Sequence, residues 1–142
     1  LSLLQDDAEL HHLLTEYNII LKSLSAYLQN GRDLARINYL GVQEVLATII
    51  KDGKEAQKMF LAYLLRMFRN EFLLNKGCSA LVKATAEEWK VLDEYRLLFT
   101  VKNAGLLLND CSQAIYHLER NANSNILFTD LYFKLLLDFS KR

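Results

Sequence analysis

The 142-residue chain contains no proline and only five glycines, so the usual materials of tight sheet turns are scarce. The absence of proline also removes the strongest helix breaker. Neither sign of charge dominates, with 17 basic and 17 acidic side chains and no run of Lys or Arg longer than two. A nucleic-acid binder normally carries a basic stripe, so this balance argues against nucleic acid as the main partner. The two cysteines, Cys78 and Cys111, make neither a disulfide framework nor a metal-ligand spacing. Their expected state is two buried free thiols in apolar helical surroundings, in a reducing and therefore cytoplasmic compartment. There is no basic leader with a cleavage site and no initiator Met, so the chain reads as a single all-helical domain, residues 1–142, cut from a longer protein.

Half of the residues are hydrophobic (51%), enough to fill a core and too many for a disordered chain. The densest stretch is EAQKMFLAYLLRMFRNEFLL, Glu55 to Leu74, in which every residue from Met59 to Leu65 is apolar. A helix that is oily nearly all round must be covered by neighbours. The run falls short of the roughly 20 apolar residues that span a bilayer, and Arg66 and Arg69 interrupt it. It therefore predicts a central core helix and no membrane span.

Other helices are expected around it. The first runs from about Ser2 to Gln29, with Ser2, Asp6 and Asp7 suited to its start and Leu14, Tyr17, Leu21 and Leu24 on the buried stripe. A short segment capped by Asp33 is interrupted by Gly41, after which VQEVLATII continues to Asp52-Gly53. The central helix is expected to weaken near Arg69-Asn70, leaving EFLLNKG as a separate turn. A further helix starts at Cys78 and extends as far as Val101, with a possible break at Thr85, where Thr85 and Glu88 match a capping box. Asn103-Ala104-Gly105 is the next soft point. The loop NANSN, residues 121–125, precedes a last helix that carries Leu127, Leu131, Phe133, Leu135, Leu136 and Phe139 and is expected to dock on the rest. The result is an all-α fold of five to seven helices.

NYLGVQEVLATII and LNKGCSALVKATA align at an offset of 36 residues, from Gly41 to Gly77, with Val45-Leu46 matching Leu81-Val82. This glycine turn followed by an amphipathic helix resembles an armadillo repeat over about Asp33 to Lys83. The resemblance implies a right-handed superhelix whose third helices line a concave surface binding a partner's peptide or helix. On that surface it would place Gln43, Glu44, Thr48, Ser79 and Lys83. Trp89, with Tyr95 beyond it, would extend the same face; Trp, Tyr and Arg are the residue types of interface hot spots. The alternative architecture is a compact helical bundle, which the long first helix favours.

No GxGxxG, phosphate loop, HExxH, GxSxG or CxxC occurs in the chain. Asp7 and His11 share a helix face but lack further ligands, and Glu87, Glu88, Asp93 and Glu94 read as an acidic solvent face balanced by Lys90 and Arg96. The expected function is a non-enzymatic scaffold or adaptor domain without cofactor, binding a protein partner. The alternatives are a self-associating bundle with an assembly role, and a small-molecule site built from scattered residues.

Overall fold

The Met59–Phe68 stretch forms the middle of one unbroken helix, and every other helix is arranged with respect to it. The computed structural model describes residues 7–141. Six α-helices are found there: α1 (Asp7–Gln29), α2 (Tyr39–Lys51), α3 (Lys54–Asn75), α4 (Ala86–Tyr95), α5 (Val101–Glu119) and α6 (Ser124–Phe139), with no strand among the described residues. Ser2 and Asp6, expected at the start of α1, lie outside the described residues.

α3 packs most extensively on α5 and also touches α1, α2 and α4. Its rings complete the enclosure. Phe60 meets Phe128 of α6, and Phe68 meets Tyr17 of α1, Phe99 ahead of α5 and Phe139 of α6 at centroid separations of 6.1, 5.5 and 6.0 Å. Single polar ties fix the neighbours. Tyr132 Oη of α6 donates to Ser23 Oγ of α1, and Gln57 of α3 donates to the Ile50 carbonyl while accepting from Ser124 Oγ. The helices pack against one another around a single apolar core, as expected of an all-α bundle.

Several boundaries differ from those the sequence suggests. α3 does not weaken at Arg69-Asn70. Asn70 turns inward and donates from Nδ2 to the Lys83 carbonyl, so it does not compete for its own backbone. The helix ends at Asn75 and is closed off by Gly77, whose φ of +73° suits glycine; Cys78 N bonds to Leu73 O and Gly77 N to Leu74 O, a Schellman closure. Gly41 is no interruption. It sits in the first turn of α2, and its N–H donates to the capping Asn38 Oδ1; a Cβ there would lie 2.5 Å from Asn38 Nδ2.

The long helix expected from Cys78 is absent. Ser79–Leu81 makes a single 3-10 turn, Val82 is extended, and α4 begins only after the Thr85/Glu88 capping box, which forms as the sequence suggests. Cys78 is accordingly a half-buried turn residue, not a helical one. A second capping box, Thr100 with Asn103, starts α5, so Gly105 lies inside that helix. Consequently the two segments aligned at Gly41 and Gly77 differ: one is helix, the other a turn followed by extended chain. α6 docks on the rest through Leu127, Leu131, Leu135, Leu136 and Phe139, whereas Phe133 is 37% exposed.

Two polar side chains sit unpaired at the aromatic hub. Glu71 is buried, and among the described residues neither its carboxylate oxygens nor the Tyr17 hydroxyl finds a hydrogen-bond partner. Burial pushes the Glu71 carboxyl up to about 9, with Asp93 adding to the shift and Arg96 opposing it. The folded chain therefore holds Glu71 protonated at neutral pH, whereas the unfolded chain ionises it above pH 4–5. Stability from this group is complete at acid pH and is lost progressively as pH rises towards about 9. Glu71→Gln should raise the urea midpoint at pH 8 and leave it nearly unchanged at pH 4; equal effects at both pH values would contradict this. Phe68→Ala should lower stability by about 3–5 kcal/mol in the same assay.

Candidate functional site

The residues that the armadillo resemblance brings to one face are distributed over several surfaces. Gln43, Glu44 and Thr48 are exposed on the outer side of α2, with Thr48 Oγ1 donating to Glu44 O. Ser79 and Lys83 are exposed on the segment joining α3 to α4. α2 packs on α1, α3 and α6, whereas α4 packs on α1 and α3, so no extensive boundary joins the two sets. Trp89 is half-buried against the core. Tyr95 is buried, its hydroxyl donating to Asn18 Oδ1 at 2.9 Å and pushed up to about 12 by burial and then by Glu94. A ring sealed in this way is core structure, because it offers a partner no surface.

The acidic face expected on α4 also divides. Glu87 is exposed, with His11 Nδ1 3.3 Å away. Glu88 is buried and fully engaged. Its Oε2 accepts from Tyr63 Oη at 2.7 Å and Arg66 Nη2 at 2.6 Å, and its Oε1 accepts from Thr85 N. Arg66 Nη1 also donates to the Lys83 carbonyl. Arg66 thus meets a carboxylate inside the fold and ties the start of α4 to α3. His12 Nε2 lies 3.2 Å from Glu16 Oε2. Among the described residues no three His, Cys, Asp or Glu side chains converge as metal ligands.

The feature with the form of a binding site lies between α5 and α6. These helices are antiparallel neighbours joined by a tight turn. α5 closes on Asn121, a non-glycine residue at φ +63°, and Lys54 Nζ holds the Asn121 side chain at 2.8 Å. Asn123 then caps α6 by accepting from Ile126 N. At i, i+3, i+4 and i+7 on α5 stand Asp110, Gln113, Ala114 and His117; α6 contributes Ile126, Leu127, Asp130, Leu131 and Lys134. Together they border a trough of about 240 Å³. Ala114 and Ala122 are small, and with the buried Leu127 and Leu131 they give it an apolar lining. Ile126 stands on the rim, 69% exposed.

Charge is placed unevenly along this trough. Asp130 Oδ2 pairs with Lys134 Nζ at 2.9 Å, one turn apart on α6. One turn beyond Lys134, Asp138 is buried and faces the Asp110 carboxyl. Its Oδ2 finds no hydrogen-bond donor among the described residues. Burial and then the Asp110 carboxyl push Asp138 up to about 7, with Lys141 and Lys134 opposing. The neighbouring Cys111 is sealed in the core, and burial, Asp110 and Asp138 all push its thiol up. Asp110, Asp138 and Ile126 carry no motif-like spacing. Only the unusual presence of Asp138 among the apolar residues at the end of α6 marks the place in the sequence.

Two other hollows border α1. One, of about 350 Å³, lies against the start of α4 and includes His11 and Glu87; the other, of about 440 Å³, lies between Leu28, Arg32 and Leu97. Comparison with protein-family models, with curated proteins and with solved structures matched none of them to this chain at a significant level, so any functional reading starts from the geometry of its own residues.

Proposed function

We propose that this chain is a non-enzymatic scaffold or adaptor domain that binds a helix or peptide of a partner protein in the α5–α6 trough. The observation that carries the reading is that trough: an apolar lining of small and branched side chains between two antiparallel helices, with a polar rim. Such a shape accepts the apolar face of an amphipathic helix, anchored at positions three or four apart. Binding is favoured over catalysis because the trough is lined chiefly by apolar groups, and the charges of Asp130 and Lys134 offset each other on its rim. The armadillo-like alternative places the partner instead on Gln43, Glu44 and Thr48 of α2, with Ser79, Lys83 and Trp89 beyond.

A second reading, self-association, is supported by the outer side of α6. Ile126, Phe133 and Leu137 are 69%, 37% and 61% exposed and follow a helical spacing. Sedimentation at increasing concentration tests it, since a strict monomer removes it.

The trough reading is tested with labelled amphipathic helices, one built of Leu and Lys and one of Leu and Glu, titrated into the chain by fluorescence anisotropy. Ile126→Ser should weaken the tighter of the two about 5–10-fold, the value of one exposed-to-buried branched side chain. Trp89→Ala should leave it unchanged. The reverse pattern would move the site to the armadillo-like face.

A further inference from the structure

Along the outer side of α6 the bundle leaves a line of large apolar side chains in water. Ile126, Phe133 and Leu137 are exposed and recur at seven and then four residues, the spacing of one helix face. The line spans about 16 Å at 1.5 Å per residue. Its two flanks differ. Towards α5 stand Asp130 and Lys134, which border the trough and pair with each other one turn apart. Their side chains keep 56% and 51% of their surfaces open to water. Towards α2 stand Thr129 and the Tyr39 ring, which packs against Phe133 at 6.0 Å, and neither carries a charge.

Resting on the self-association reading, we infer that this stripe pairs with the α6 stripe of a second copy of the chain, laid antiparallel about a two-fold axis. The occupant follows from charge complementarity. When two identical helices are related by a two-fold axis, an antiparallel pair brings equivalent flanks together and a parallel pair brings opposite flanks together. Only the antiparallel pair sets Asp130 against the partner's Lys134, and Lys134 against the partner's Asp130. Each intrahelical pair then becomes half of an alternating network of four charges, in which no charge gives up the partner it already has. A parallel pair would press both charged side chains against the uncharged flank.

The spacing of the apolar residues selects the same axis. The midpoint between Asp130 and Lys134 falls at Tyr132, and the midpoint between Ile126 and Leu137 falls between Leu131 and Tyr132. One register therefore matches each aspartate with a lysine and each Ile126 with the partner's Leu137. Phe133 stands next to that axis, so the two Phe133 rings meet at the centre, where an aromatic anchor contributes most. The stripe is short, which puts the contact at the small end of specific interfaces and the dissociation constant at about 10–100 μM.

Sedimentation equilibrium of the full chain, from about 5 to 500 μM, reads the dimer. Leu137→Ser should weaken it about tenfold. Asp130→Lys places four lysines around the axis and Lys134→Glu four carboxylates, so each should weaken self-association about 5–10-fold. Their equimolar mixture should return to within about twofold of the unaltered chain, because each variant repels its own copy and attracts the other; that recovery also shows that both are folded. Direction is read by disulfide formation with Cys78→Ser in every sample. Ile126→Cys mixed with Leu137→Cys should cross-link in air, whereas Ile126→Cys alone should not, its two copies lying about 16 Å apart along the helices. A strict monomer at every concentration overturns self-association and this pairing with it. A dimer that the mixture fails to restore, or in which Ile126→Cys cross-links to itself, overturns the antiparallel pairing and leaves self-association standing.

Discussion

The architecture depends on the need to hide one broad face of α3 from water. A helix with one narrow apolar stripe can rest on a single neighbour; this one presents Phe60, Leu61, Tyr63, Leu64, Met67, Phe68 and Leu74 over about half of its circumference, all buried, with Ala62 and Arg69 exposed on the other side. Phe68 shows how the demand is met. Its ring is enclosed by aromatic side chains from three other parts of the chain, so α1, the segment before α5, and α6 converge on one residue. Rings of this size dominate core energetics and prefer the tilted and edge-on arrangements found here. The broad face of α3 is taken up by the core, and on the outside of the bundle α5 and α6 leave a trough between them.

Polar groups inside the bundle follow two different rules. Glu88 is buried with donors on both oxygens, and it fastens α4 to α3 through Tyr63, Arg66 and the Thr85 backbone. Glu71 and Asp138 are buried without such partners, and both respond by holding protons at higher pH than an ordinary carboxyl. Their surroundings separate their roles. Glu71 stands among core side chains beside Tyr17, where its protonation affects only stability. Asp138 stands beside Asp110, which borders the α5–α6 trough, so its proton is held by burial together with a facing carboxyl.

Helical character and the central position of α3 could be read directly from the chain, because both follow from composition and from the spacing of large apolar residues. The capping box at Thr85 was legible for the same local reason. The segment from Cys78 to Thr85 was not. Ala80, Leu81, Lys83 and Ala84 favour helix, yet after the Schellman closure at Gly77 the segment makes only one 3-10 turn before extended chain at Val82, with Arg66 and Asn70 holding the Lys83 carbonyl. Asn103 shows a related blind spot: it performs the role usually sought from Glu or Gln at the third helical position. The trough was invisible because it depends on which two helices become neighbours. Nothing in the spacing of Asp110 and Asp138 announces that they meet, and Tyr95, with the chemistry of an interface residue, is turned into the core by its bond to Asn18.

The contrast between the two sulfur atoms has a practical outcome. Cys111 lies inside the packed helices with its thiolate form disfavoured, while Cys78 sits in an accessible turn. An alkylating reagent therefore meets one sulfur in the native molecule and the other only when α5 parts from its neighbours. The ratio of singly to doubly modified chain then keeps time for core opening, without any label having to be engineered in.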